Sequence, residues 1–185
     1  MITLYDYWRS SAAYRVRMAL NVLGISYQSL PVDLVKGEQR DAANTARNPQ
    51  GLVPTLLIDG LTLTQSLAII EYLAETRGGL LPADAAGRAR VRALAYAIAM
   101  EIAPICNLSV RNHVAQLTGG SFGADDWQRL YIAKGLAAFE LMLAHPATGA
   151  FCHGDEISMA DICLVPQVYN AERVGLDVTL FPQIA

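Results

Sequence analysis

The chain has 185 residues, 53% of them apolar and 17% charged, with a formal net charge of −3. That length allows one or two small domains with a real core, and the composition fits a compact globular protein. A mildly acidic chain lacks the basic face that a non-specific nucleic-acid binder needs, and no apolar run reaches membrane-spanning length.

Met1-Ile2-Thr3-Leu4 leads straight into a strand-like pattern, with no basic region and apolar stretch for export. Ile2 to Tyr7 alternates and is rich in β-formers, which predicts a strand. Ser11 then reads as an N-cap, and Val16, Ala19, Leu20 and Leu23 recur at helical spacing until Gly24 stops the helix. Tyr27 to Val32 predicts a second strand, and strand–helix–strand implies a right-handed parallel unit. Lys36 to Asn48 is polar and predicts a loop, with a short helix as the alternative. Val53 to Ile58 and Leu61 to Thr64 flank Asp59-Gly60, a strong hairpin signal. Ser66 to Thr76 has a helical pattern, with Leu67, Ile70 and Ala74 on one side and Ile69 and Leu73 beside them.

Gly78-Gly79 and Pro82 punctuate the chain and predict a domain boundary between residues 77 and 83. From Ala83 onward the chain reads as all helical. Arg88 to Met100 is Ala-rich, and Trp127 to Leu143 and Ser158 to Glu172 carry further helical patterns. Ser158-Met159-Ala160-Asp161 is a capping pattern, with Ile157 and Ile162 as the flanking apolar pair, and reads as a folding element. Cys106, Cys152 and Cys163 are odd in number and form no CxxC pair, so a disulfide framework or zinc cage is not expected. His113, His145 and His153 are scattered without ligand spacing, so no metal site is expected. A reducing, cytoplasmic setting follows as the default.

Ser10 and Ser11 sit where the first strand ends and the first helix begins. Helix N-termini offer unpaired N–H groups and partial positive charge. A Ser there can cap the helix or turn its hydroxyl to a bound anion, and a thiolate would be such an anion. Ser66 opens another helix and has the same two readings, cap or carboxylate ligand. Arg9, Arg15, Arg17 and Arg173 carry the planar fork that binds carboxylates, although each is also an ordinary surface charge. Cys106 alone reads as a small buried filler.

Several stretches taken together carry a family resemblance. They are Ser10-Ser11-Ala12-Ala13-Tyr14-Arg15-Val16-Arg17, then Asn48-Pro49 before Val53-Pro54-Thr55-Leu56, and Gln65-Ser66-Leu67-Ala68-Ile69-Ile70-Glu71-Tyr72-Leu73. Asn107-Leu108-Ser109-Val110, the run from Gly154 to Asp161, and Asn170-Ala171-Glu172-Arg173 complete the set. In this order they resemble the zeta class of glutathione transferases, the maleylacetoacetate isomerase family, over essentially the whole chain. Ala12 departs from the class, which has Cys there, and Cys106 stands where the family often has Gln. The chain ends short of the family's final helical segment.

The resemblance implies an α/β plus all-α fold: a thioredoxin-like N-terminal domain (1–77) that binds glutathione, and a helical-bundle C-terminal domain (83–185). It implies glutathione as cofactor, with Ser10, Ser11 and Arg15 catalytic. Glutathione would be held by Ser10, Ser11, Ala12, Gln39, Val53, Pro54, Gln65, Ser66, Cys106 and Asn107. It implies a cis peptide at Pro54. Arg9, Arg15 and Arg173 would meet the carboxylates of a small cis-dicarboxylate substrate. Tyr7 is a rival thiolate donor, because other classes use a Tyr near the end of this strand. The implied reaction is isomerisation of maleylacetoacetate to its fumaryl form in aromatic amino-acid catabolism. The alternatives are maleylpyruvate isomerisation, general conjugation of small electrophiles, or a non-catalytic binding module. A cytoplasmic homodimer without nucleic-acid or membrane partners completes the expectation.

Overall fold

The computed structural model describes residues 1–185. The chain divides into two compact units, Met1–Leu80 and Leu81–Ala185.

The first unit is a four-stranded mixed sheet carrying helices. β1 (Thr3–Asp6) runs into α1 (Ser11–Val22), and β2 (Gln28–Pro31) returns parallel to β1, with Thr3 opposite Gln28 and Asp6 opposite Pro31. A single-turn helix, α2 (Ala42–Thr45), interrupts the polar connection. β3 (Thr55–Ile58) pairs antiparallel with both β1 and β4 (Leu61–Thr64), giving the order β2-β1-β3-β4. Asp59 and Gly60 both have positive φ, 53° and 78°, as a tight two-residue hairpin turn requires. α3 (Ser66–Arg77) packs against α1. The core is built from Leu4 of β1, Val16 and Leu20 of α1, Leu56 and Ile58 of β3, and Ile69, Ile70 and Leu73 of α3, all at most 2% exposed. The buried stripe of α3 is thus centred on Ile69, Ile70 and Leu73, with Leu67 and Ala74 at its margins.

The second unit is helical. α4 (Ala85–Tyr96) is capped by Asp84, whose carboxylate accepts the Gly87 N–H at 2.8 Å. The chain continues as one wide π-helical stretch, Ala97–Ile102, closed by Ala103 N–H to Ile98 C=O at 2.9 Å. α5 (Leu108–Leu117), α6 (Ala124–Leu143) and α7 (Met159–Arg173) follow. α7 packs on α4, and its capping box forms: Asp161 Oδ2 accepts the Ser158 N–H at 2.8 Å. Asp161 Oδ1 also accepts the Cys152 N–H at 2.8 Å, which ties the preceding loop to the helix start. Ile162 is buried, whereas Ile157 stays exposed. An isolated bridge, Thr148–Gly154, is the nearest thing to a strand here.

Candidate active site

The turn between β1 and α1 closes with the Ser10 N–H donating to Tyr7 C=O at 2.9 Å. It ends at Ser10, so Ser10 is the N-cap and Ser11 is the first helical residue, correcting the expectation that Ser11 caps. Ser10 Oγ accepts the Ala13 N–H at 3.2 Å. That bond occupies the acceptor side of the hydroxyl and leaves its proton to donate elsewhere. Ala12 is the half-buried second residue of α1, and Tyr7 packs beside Trp8 with ring centroids 6.2 Å apart.

The start of α3 repeats the arrangement with a different supporting group. Gln65, not Ser66, is the N-cap, which corrects the capping reading of Ser66. Gln65 holds φ 66° and ψ 113°, a conformation that costs a non-glycine residue about 1–3 kcal/mol. Strain of that kind clusters at ligand-binding backbone. Ser66 is 5% exposed, and its Oγ accepts from Arg15 Nη1 at 3.0 Å. Arg15 is itself buried at 3% exposure, so the structure brings two of the expected site residues into one contact. Again the hydroxyl's acceptor side is used and its proton is left over. The Gln65 side chain donates to Gln50 Oε1 at 2.7 Å.

Val53 and Pro54 are buried and joined by a cis peptide. The loop before them is pinned by buried Asn48, which donates from Nδ2 to Leu52 C=O at 3.0 Å and accepts the Gln50 N–H at 3.1 Å. Gln39 lies in a short 3-10 turn, Glu38–Arg40, with its carbonyl held by Asn44 Nδ2 at 2.9 Å and its Oε1 buried without a partner. Sequence reasoning does not single out Asn44, Gln50 or this use of Asn48. Polar side chains at 2% exposure, as Asn44 and Asn48 are, show their purpose only once the chain is folded. Arg9 is exposed, with its guanidinium 5.5 Å from the Trp8 ring centre. A cleft of about 500 Å³ opens beside the same turn, lined by Tyr7, Trp8, Asp33 and Val35 among others, and includes neither Ser10 nor Ser66.

In the second unit, Cys106 is 8% exposed and its carbonyl accepts from Gln128 Nε2 at 3.3 Å. Burial pushes its thiol up to about 11, against the lowering effect of Arg111. Cys106 is therefore an interior neutral thiol. Asn107 is the exposed N-cap of α5. Trp127 Nε1 donates to Ile105 C=O at 2.8 Å, so α6 fixes the turn that presents Asn107. Arg173 closes α7, exposed, with its guanidinium 5.8 Å from the Tyr169 ring centre. No group of three or more His, Cys, Asp or Glu side chains is placed to hold a metal ion.

The family model of the glutathione S-transferase N-terminal domain matches residues 1–75. The chain is 62% identical over 182 residues to the maleylacetoacetate isomerase of Rhizobium meliloti (strain 1021), covering 97% of this chain and 85% of that protein. Among solved structures, a holo maleyl pyruvate isomerase described as a bacterial zeta-class glutathione S-transferase superposes with a TM-score of 0.94 at 42% identity, covering 98% of this chain and 88% of the other. The maleylacetoacetate isomerase of Anaeromyxobacter dehalogenans 2CP-1, with dicarboxyethyl glutathione and citrate bound in its active site, superposes with a TM-score of 0.87 at 43% identity. It covers all of this chain, which in turn covers 86% of it. The thioredoxin-like sheet, the collinear motifs and these likenesses agree: the chain belongs to the zeta-class glutathione transferases, the maleylacetoacetate isomerase family.

Proposed function

We propose that this chain is a glutathione-dependent cis–trans isomerase acting on maleylacetoacetate. The observation that carries the reading is the Ser10 hydroxyl, held at the start of α1 by the Ala13 N–H with its own proton left to donate. Glutathione, when bound, supplies a thiolate that adds reversibly to the cis double bond, so the carbon–carbon bond can rotate before the sulfur leaves.

The chain's own residues do the rest. Ser10 donates to the sulfur and, with the N–H groups of α1, favours its ionised form. Val53 offers backbone N–H and C=O to the peptide portion. Ser66 donates to the γ-glutamyl carboxylate, with Arg15 serving the site through the Ser66 hydroxyl, and the N–H groups at the start of α3 add to this. Gln39 offers its buried Oε1 as an acceptor. Asn107, with its exposed side chain, is a better candidate for contact with glutathione than interior Cys106. Arg173 and Arg9, both exposed, are the candidate partners for substrate carboxylates. Ala12 removes no reacting sulfur, because the sulfur belongs to glutathione. The first unit is thus read as the glutathione-binding domain, and a homodimer as its assembly. Three buried thiols that form no disulfide suit a reducing compartment such as the cytoplasm.

A second reading, maleylpyruvate isomerisation, draws support from the maleyl pyruvate isomerase at a TM-score of 0.94. The test is retention on immobilised glutathione, followed by turnover assays with maleylacetoacetate and maleylpyruvate side by side. Turnover of maleylacetoacetate at the higher kcat/KM is expected. Preference for maleylpyruvate would favour the second reading, and retention without turnover of either would favour a binding module.

A further inference from the structure

Arg17 is not among the residues expected to hold glutathione, yet its side chain makes several contacts to the turn that carries Ser10. From the second turn of α1 it reaches back to the end of β1. Its Nη1 donates to Asp6 Oδ1 at 2.6 Å and Oδ2 at 2.7 Å. The same nitrogen approaches Tyr7 C=O at 3.5 Å, and Nη2 donates to Trp8 C=O at 3.1 Å. Asp6 is the last residue of β1 and is 6% exposed, so one guanidinium grips the strand end and two successive carbonyls of the turn. The Arg17 side chain is 21% exposed and lies 5.1 Å from the Tyr14 ring centre, which restricts where the fork can swing.

We propose that Arg17 is a positioning residue for the thiolate donor: by clamping Asp6, Tyr7 and Trp8 it fixes the turn from which the Ser10 hydroxyl is aimed. This inference rests on the reading of Ser10 as donor to glutathione sulfur. Its action is geometric. Asp6 neutralises the Arg17 charge, so the cation adds little field at the sulfur, whereas contacts at three successive residues hold the backbone that leads into Ser10. Without the clamp, Ser10 keeps its identity and loses its aim.

Arg17→Lys is the informative variant. A lysine keeps the charge that buried Asp6 needs but has no planar fork to span carboxylate and carbonyls together. The readout is ionisation of glutathione bound to the protein, followed by thiolate ultraviolet absorbance against pH. R17K is expected to raise the pH of half-ionisation by about one unit, equivalent to about ten-fold less thiolate at a pH well below it. The glutathione dissociation constant should change less than about three-fold, and turnover should recover as pH rises. Ser10→Ala should give a similar shift, and the double variant R17K/S10A no more than S10A alone, since both act through one hydroxyl. An unshifted ionisation curve in folded R17K overturns the inference, as do additive shifts in the double variant. If R17K does not fold, D6N/R17M, which leaves no charge unpaired, takes its place: a raised half-ionisation pH supports the clamp, and an unshifted one overturns it. Failure of the wild-type protein to bind glutathione, or to ionise it more readily than water does, overturns the Ser10 reading and this inference with it. An ionised ligand in the wild type beside unchanged R17K overturns the inference alone.

Discussion

The Ser10 hydroxyl accepts the Ala13 N–H at 3.2 Å, and this one bond couples the stability of α1 to the proposed chemistry. Ser10→Ala should therefore do two things. Loss of the cap should lower stability by about 1 kcal/mol in urea unfolding. Loss of one charge-assisted hydrogen bond, roughly 1.5–3 kcal/mol, should cut turnover about ten- to a hundred-fold at neutral pH. The turnover deficit should shrink as pH rises and solvent ionises the thiol unaided. Ser11→Ala, at the first helical position, should change stability by no more than about 0.5 kcal/mol. Tyr7→Phe should leave turnover near wild type. A crippled Y7F beside a silent S10A would move the donor role to Tyr7. The cap assignment is legible in sequence only to within one residue. Ser10 and Ser11 are equally good caps, and what chooses between them is the turn that closes on Tyr7 C=O. The capping reading of Ser66 fails for a different reason. Its partner, Arg15, lies 51 positions away, and no local window contains that contact.

Elements with a strong apolar stripe are legible almost end to end, and the others are not. α3, α6 and α7 each bury a row of side chains, and their patterns stand out in the sequence. α5 buries no residue at all, so it has no stripe to read, and within a region that reads as helical throughout its own bounds do not stand out. The pattern from Arg88 to Met100 reads as one helix, whereas the backbone widens to π geometry from Ala97. Packing against α6 shows what this stretch requires. A Cβ built on Gly135 of α6 would collide with Ile102 Cγ1 and Cδ1, so the glycine lets the end of the π stretch approach. Gly135→Ala should destabilise by about 1 kcal/mol or more, despite the ~1 kcal/mol helix-propensity advantage of Ala, because overpacking a buried contact typically costs 1–3 kcal/mol. Ile102→Ala empties that space. In its background G135A should become stabilising, and the reversal of sign in urea midpoints is the check. A destabilisation of equal size in both backgrounds would show that Ile102 is not the obstacle.

At the scale of the whole chain, both units carry aspartates whose ionised form is favoured by folding. In the first unit Asp59, at the hairpin turn, accepts from Tyr72 Oη at 2.7 Å and Arg77 Nη2 at 2.6 Å. The Tyr72 hydroxyl and then Arg77 hold its carboxyl below the ordinary range. In the second unit the Gly87 N–H does the same for Asp84, and the Thr179 hydroxyl and N–H for Asp177. The folded chain therefore binds fewer protons than the unfolded chain at acid pH, and stability must rise with pH across that range. The contribution is complete above the unfolded aspartate value of about 3.9 and is lost as pH falls through the lower folded values. Urea midpoints should thus be level between pH 7 and 5 and decline below about pH 4. Because these side chains are exposed, the part owed to the Arg77 pair should weaken as salt is added, while the parts owed to neutral donors should persist. Asp59→Asn should make the acid limb of the first unit shallower and leave that of the second, since Asp84 and Asp177 keep their own donors. The remainder in the first unit belongs to Asp33, whose carboxyl is raised by desolvation but held low on balance by the Val35 and Lys36 N–H groups. A midpoint that rises between pH 5 and 3 would mean that some other group, better stabilised when protonated in the folded chain, governs the acid behaviour.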